Sequence, residues 1–176
     1  MTTPEFSRPL RLDAIGDQDH MVEFAADESE RAALARRFDL VCIDSLQARF
    51  AVRREAAGIF AKGHVTARVT QSCTVTGDPL SVAIDEEAAI RFLSDVTPEA
   101  EEIELGETEC DTIFYTGSAI DLGEAAAETM ALALDPYPRG PNAESALRDA
   151  GVLSEEQAGP FGALAGLKAK LGKAAD

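Results

Sequence analysis

The sequence predicts an α+β protein: an antiparallel β-meander, or a partly closed barrel-like sheet, packed by two or three helices and followed by a short C-terminal amphipathic helix. Three observations lead there. Between residues 40 and 92 apolar side chains recur at a period of two, in three runs parted by short turns that contain Gly or Pro. Residues 27–38 and 121–135 each open on an acidic cap and continue with apolar residues at helical spacing. The composition, 45% hydrophobic with 6% aromatic residues and no Trp, makes Leu, Val, Ile and Ala the core material. A domain of roughly 150 residues buries about 70% of its unfolded surface, so a core forms without disulfides or metals. The expected organisation is a single domain over residues 1–150 with an acidic loop at 94–111, then an extension over 151–176 that carries a short helix.

In chain order, residues 5–12 and 19–25 read as short strands, the first with Pro9 at an edge or bulge. In the helix at 27–38, Asp27 is the cap and Glu30 the reciprocal carboxylate, while Arg31, Arg36 and Arg37 crowd the later turns, where the dipole favours cations. Val41, Ile43, Leu46, Ala48, Phe50 and Val52 then alternate with polar residues, with a slip of phase near Asp44 and Ser45 that predicts a bulge. A turn at Gly58 leads into a strand from Ile59 to about Cys73. After Thr76, Gly77, Asp78 and Pro79 a third strand runs through Leu80, Val82 and Ile84 toward Phe92. Residues 94–111 are mostly a solvated loop with a short strand at 103–105, and residues 112–115 are β-like.

The helix that opens at Asp121 is expected to carry a capping box with Glu124, and to bury Leu122, Ala126, Thr129, Met130 and Ala133. Glu124, Glu128 and Ala131 take the opposite face. Pro136 ends it, because a proline disfavours helical geometry in the residue before it. Pro138 and Pro141 then hold Tyr137 and Arg139 on a stiff extended segment. A short helix over 143–150 stops at Gly151, another helix start reads at 154–157, and Phe161, Leu164, Leu167 and Leu171 mark the closing amphipathic helix.

The net charge is -16, unevenly spread. Residues 1–70 hold ten Lys and Arg against eleven Asp and Glu, residues 71–157 hold three against twenty, and residues 158–176 hold three against one. The total argues against nucleic acid, since phosphate binding needs positive charge, while the distribution makes the middle of the chain acidic and its ends nearly balanced or basic; a soluble acidic protein with no electrostatic partner fits the same pattern. Cys42, Cys73 and Cys110 form no CxxC pair, which reads as reduced thiols in a cytoplasmic protein. The start has no basic residues followed by an apolar run, and no stretch approaches the ~20 apolar residues of a membrane span.

No nucleotide-binding glycine loop and no GxSxG elbow is present, and His20 and His64 stand singly in strands, so no catalytic residue and no cofactor is expected. Thr76 stands where a second thiol would complete a zinc pair with Cys73, so no metal site is expected. The basic residues offer more. Arg49 and Arg53 lie four apart on one strand, and Lys62, His64 and Arg68 share a face of the next. A hairpin could present Arg49, Arg53, Lys62 and Arg68 as one patch; a solvated sheet face with no partner fits the same pattern.

The run Gln71-Ser72-Cys73-Thr74-Val75-Thr76-Gly77-Asp78-Pro79 resembles the bacterial YceD family. So do the helix start at Ile120-Asp121-Leu122-Gly123-Glu124, the exit Leu134-Asp135-Pro136-Tyr137-Pro138-Arg139, and the tail with Phe161, Leu164, Leu167 and Lys168, all in the family's order. Many relatives carry a CxxC at the turn and further cysteines after the long helix; here Thr76 and the proline segment replace them. The resemblance implies a non-enzymatic role in ribosome biogenesis, promoting accumulation of 23S rRNA and assembly of the large subunit. Immature rRNA is one expected partner. A basic ribosomal protein, held by an acidic protein-only adaptor, is the alternative. The residues expected to touch RNA or protein are Arg49, Arg53, Lys62, Arg68, Tyr137, Arg139 and Lys168. Gln71, Cys73, Gly77, Asp121, Pro138, Phe161 and Leu164 match the family's motifs without an assigned role.

Overall fold

The computed structural model describes residues 4–95 and 111–152. In chain order its elements are β1 (Pro9–Arg11), a 3-10 turn (Leu12–Ala14), β2 (His20–Ala25), α1 (Glu28–Arg37), β3 (Cys42–Glu55), β4 (Gly58–Ser72), β5 (Pro79–Ser94), β6 (Asp111–Tyr115), β7 (Ala119–Asp121), α2 (Leu122–Leu132) and α3 (Ala143–Asp149). The chain divides into two compact units, one of Met1–Ser72 with Pro79–Pro136 and the other of Cys73–Asp78 with Tyr137–Asp176.

The first unit is built on a five-stranded sheet in the order β2-β3-β4-β5-β6. β3, β4 and β5 are the long antiparallel meander that the period-two runs predict, and the register of β3 on β4 shifts between Ile43 and Ser45, where the phase slips in the sequence. β2 adds antiparallel to β3, and β6 adds parallel to β5. The sheet is open, and no barrel forms. Local pattern reports which side chains alternate, not whether two edge strands meet, and here β2 and β6 end on opposite sides. The first stretch also differs from expectation. Only Pro9–Arg11 is strand, and it pairs with β7 in a separate two-stranded sheet, Leu10 opposite Ile120.

One face of the large sheet is apolar and covered. Leu46, Phe50, Val52, Ile59, Val65, Val69 and Phe92 are buried there with Leu34 of α1 and Leu122, Ala126 and Met130 of α2. Three consecutive alanines, Ala125 to Ala127, are all buried, so the buried face of α2 is wider than a single stripe and includes Gly123. Thr129 is only half-buried and donates to the Ala125 carbonyl at 2.9 Å.

The caps differ between the two long helices. Asp27 accepts from the Glu30 amide at 2.9 Å while the Glu30 carboxylate accepts from the Asp27 amide at 2.8 Å, the expected capping box. Asp121 caps α2 by accepting from the amides of Gly123 and Glu124 at 3.0 and 3.2 Å, but the reciprocal half is missing. Glu124 turns away to Arg37 at 2.6 and 2.9 Å. A guanidinium with two aligned donors outcompetes one backbone amide.

In the second unit the segment Cys73–Asp78 forms a tight turn. The Cys73 amide donates to the Asp78 carbonyl and the Gly77 amide to the Cys73 carbonyl, at 2.8 and 2.9 Å, with Gly77 at φ +76°. That left-handed conformation is what glycine supplies at this position. The Thr74 amide donates to the Pro138 carbonyl at 2.9 Å, and α3 follows, closing at Gly151 with φ +77°.

Candidate functional site

The other face of the large sheet is bare: among the described residues neither α1 nor α2 covers it. Period-two alternation places there the residues between the buried ones. Successive cross-strand rows read Arg53, Phe60, Arg91; then Ala51, Lys62, Ala89; then Glu23, Arg49, His64, Glu87; then Gln47, Thr66, Asp85; and finally Ser45, Arg68, Ala83. The four cations predicted as one patch, Arg49, Arg53, Lys62 and Arg68, do lie on this one face.

They are not equivalent. Arg53 is bound by Asp19 at 3.2 Å and Glu55 at 2.7 Å, and its guanidinium lies 5.4 Å from the centre of the Phe60 ring. Its carboxylate partners raise its pKa further and occupy its donors. Arg49, Lys62 and Arg68 are exposed and form no ion pair with a described residue. His64 sits between Asp85 at 3.5 Å and Glu87 at 3.6 Å, so the β5 side of the row is acidic. The face is cationic on β3 and β4 and acidic along the middle of β5, where Asp85 and Glu87 are exposed on it and Glu86 is exposed on the other side. No further strand pairs with that part of β5 among the described residues, and charge on such an edge deters pairing with another chain.

Three residues on this face were not singled out from sequence: Phe60, Arg91 and Phe114. Phe60 precedes Lys62 by two and shares its alternation, so the signal was present. Arg91 joins only through the β4–β5 register, which places it opposite Phe60. Phe114 is 65% exposed and faces outward because Ile113 and Tyr115 on either side of it pack on the core.

The remaining candidates fall elsewhere. Tyr137 and Arg139 are exposed in the second unit, Tyr137 by 74%. Lys168, Phe161 and Leu164 lie outside the described residues. Gln71 is buried, with its amide nitrogen on the Asp135 carbonyl at 2.9 Å, and so ties β4 to the exit of α2. Asp121 holds the start of α2 and also accepts from the Arg8 amide at 2.8 Å and the Ser7 hydroxyl. Pro138 accepts from the amide and hydroxyl of Thr74.

Cys73 is buried, and its sulfur accepts from the amides of Gly140 at 3.3 Å and Thr76 at 3.5 Å. Those donors, led by Gly140, lower its pKa from the ordinary thiol value to about 6. The turn thus aims amides at a sulfur as metal knuckles do, yet no group of three or more His, Cys, Asp or Glu that could hold a metal occurs among the described residues. Nor is any helix among them long and apolar enough to cross a membrane.

These features define an α+β protein in which α1 and α2 cover one face of an open sheet and, among the described residues of that unit, leave the other bare. Over residues 61–168 the chain matches the family described as large ribosomal RNA subunit accumulation protein YceD. That is more than half of its length, and the chain belongs to the YceD family. No curated protein and no solved structure matches it.

Proposed function

We propose that this chain is a non-enzymatic, cytoplasmic factor in ribosome biogenesis that promotes accumulation of 23S rRNA and assembly of the large subunit by contacting immature rRNA. The observation that carries the reading is the bare sheet face, on which Arg49, Lys62 and Arg68 project without ion-pair partners among the described residues. Phosphate contacts of this kind give affinity without sequence preference and a steep dependence on salt. With residues 71–157 so acidic, RNA is disfavoured along that stretch relative to the cations of β3 and β4.

Two measurements test it. Cells lacking the protein are expected to show a lowered ratio of 23S to 16S rRNA and a reduced large-subunit peak; an unchanged ratio with a normal peak removes the role. Purified protein is expected to bind large-subunit rRNA fragments, and changing Arg49, Arg53, Lys62 and Arg68 together to Gln should abolish binding and flatten its salt slope. A second reading, an acidic adaptor for a basic ribosomal protein, is favoured by the exposed run Asp85, Glu86 and Glu87. It predicts salt-sensitive capture of a basic ribosomal protein with no affinity for RNA.

A further inference from the structure

The bare face carries more than charge. We infer that Phe60 and Phe114 form a stacking platform for the bases of single-stranded RNA, with Lys62 and Arg91 placed to hold the phosphates beside them; this rests on the RNA-contact reading above and specifies the RNA it takes.

Phe60 lies in the row Arg53, Phe60, Arg91, and Lys62 follows two residues along the same strand. The parallel register sets Thr112 opposite Arg91 and Phe114 opposite Leu93. Phe114 is therefore two strands from Phe60 and two residues further along, roughly 12 Å away for a strand spacing of about 4.8 Å and a rise of about 3.3 Å per residue. Such a gap suits neighbouring or next-neighbour bases of a splayed strand. Phe114 is 65% exposed, so its ring is accessible to a stacking base.

Charge complementarity selects that partner. Half-buried Phe60 lies on its row between Arg53, which Asp19 and Glu55 hold beside its ring, and Arg91, which forms no ion pair with a described residue. Rings set among cations on a pleated sheet match the chemistry of an unpaired nucleotide, which offers an aromatic face and an anionic backbone together. A duplex hides its base faces and would use only the cations. A basic protein would be repelled by the same cations. The acidic middle of β5, with Asp85 and Glu87 on this face, bounds the track and directs the strand toward the end where both rings lie.

The test uses the full-length chain with a 12-nucleotide single-stranded RNA carrying one 2-aminopurine, a hairpin of the same composition, and two variants, Phe114→Leu and Phe60→Leu/Phe114→Leu. Leucine keeps the apolar volume and removes the ring face, and a thermal melt confirms that each variant folds. Wild type is expected to bind the single strand more tightly than the hairpin and to quench the 2-aminopurine. Phe114→Leu should lose about tenfold in affinity, and the double variant about a hundredfold with no quenching. Arg49→Gln/Arg68→Gln, which leaves the rings intact, should weaken binding and lower the salt slope while quenching at saturation persists. If the RNA binds without quenching, or the folded double variant binds as wild type does, the stacking inference fails while RNA contact stands. Equal affinity for hairpin and single strand has the same meaning. If no RNA binds and only a basic ribosomal protein does, the RNA reading falls and the platform with it.

Discussion

Arg37, in the last turn of α1, holds both carboxylate oxygens of Glu124, in the first turn of α2, at 2.6 and 2.9 Å. Each partner also suits its own helix end, a cation at the C-terminus of α1 and an anion at the N-terminus of α2. Arg37 reaches Glu5 at 3.1 Å as well, and both carboxylates raise its pKa. The pair is partly exposed, so its worth is modest despite good geometry. A double-mutant cycle on Arg37→Ala and Glu124→Ala, read by urea unfolding, should give a coupling of about 1 kcal/mol that shrinks in high salt.

Asp121 is the more costly carboxylate to remove. It caps α2 and fixes the chain at Ser7 and Arg8, more than a hundred residues away in sequence. Asp121→Ala should destabilise the protein by about 2 kcal/mol, the upper range for a lost cap. Asp121→Asn, which keeps one acceptor oxygen, should recover most of that. Hydrogen exchange at the Arg8 and Gly123 amides distinguishes the two roles: both should speed up in the alanine variant.

The Cys73 thiol gives the protein a pH dependence with a definite sign. Its folded pKa lies near 6, below the value of 9.0 for an ordinary thiol. The folded state therefore favours the thiolate, and the stability this contributes is fully present above about pH 9 and is lost as pH falls through 6. In a background lacking Cys42 and Cys110, unfolding by urea should shift to higher midpoints between pH 6 and 9. Adding Cys73→Ser should remove that rise, and thiolate absorbance should titrate near 6 only while the protein is folded.

Gly63 tests how tightly β4 sits on β3. A Cβ there would run into the Arg49 carbonyl oxygen and lie 2.8 Å from its carbon and 2.9 Å from the Phe50 Cα. These are backbone atoms of a central strand and cannot rotate aside. Gly63→Ala should cost about 3 kcal/mol or more, seen as a lowered unfolding midpoint, and should disturb the spacing of Lys62 and His64 on the bare face.

The meander, its bulge and the cap at Asp27 were legible because each is a local pattern: alternation at Ile43, Leu46 and Phe50, a slip at Asp44 and Ser45, and a carboxylate three residues past a cap. The predicted cation face was legible for the same reason, since Arg49 and Arg53, or Lys62 and Arg68, differ by even offsets. What escaped the sequence depends on tertiary choices. Glu124 has a backbone amide and a distant guanidinium available, and nothing within four residues says that Arg37 will be there. Arg53 looked as free as Arg49 until the fold brought Asp19 beside it. Phe60 is in phase with Lys62 and so legible, whereas Phe114 joins the same face only once the register of β6 on β5 is fixed.

The pairing of β1 with β7 has a consequence for the order in which the chain matures during synthesis. Leu10 has no strand partner until Ile120 has been made, and the Arg8 amide waits equally long for Asp121. At roughly 5–20 residues per second of translation, that delay is on the order of ten seconds. β3 and β4, neighbours joined by a short turn, can zip up long before. A nascent chain can therefore form its cationic hairpin, with Arg8 held by Glu30 and Leu12 by Arg54, while β1 still lacks its strand partner, and β1 pairs only when the stretch that caps α2 at Asp121 emerges.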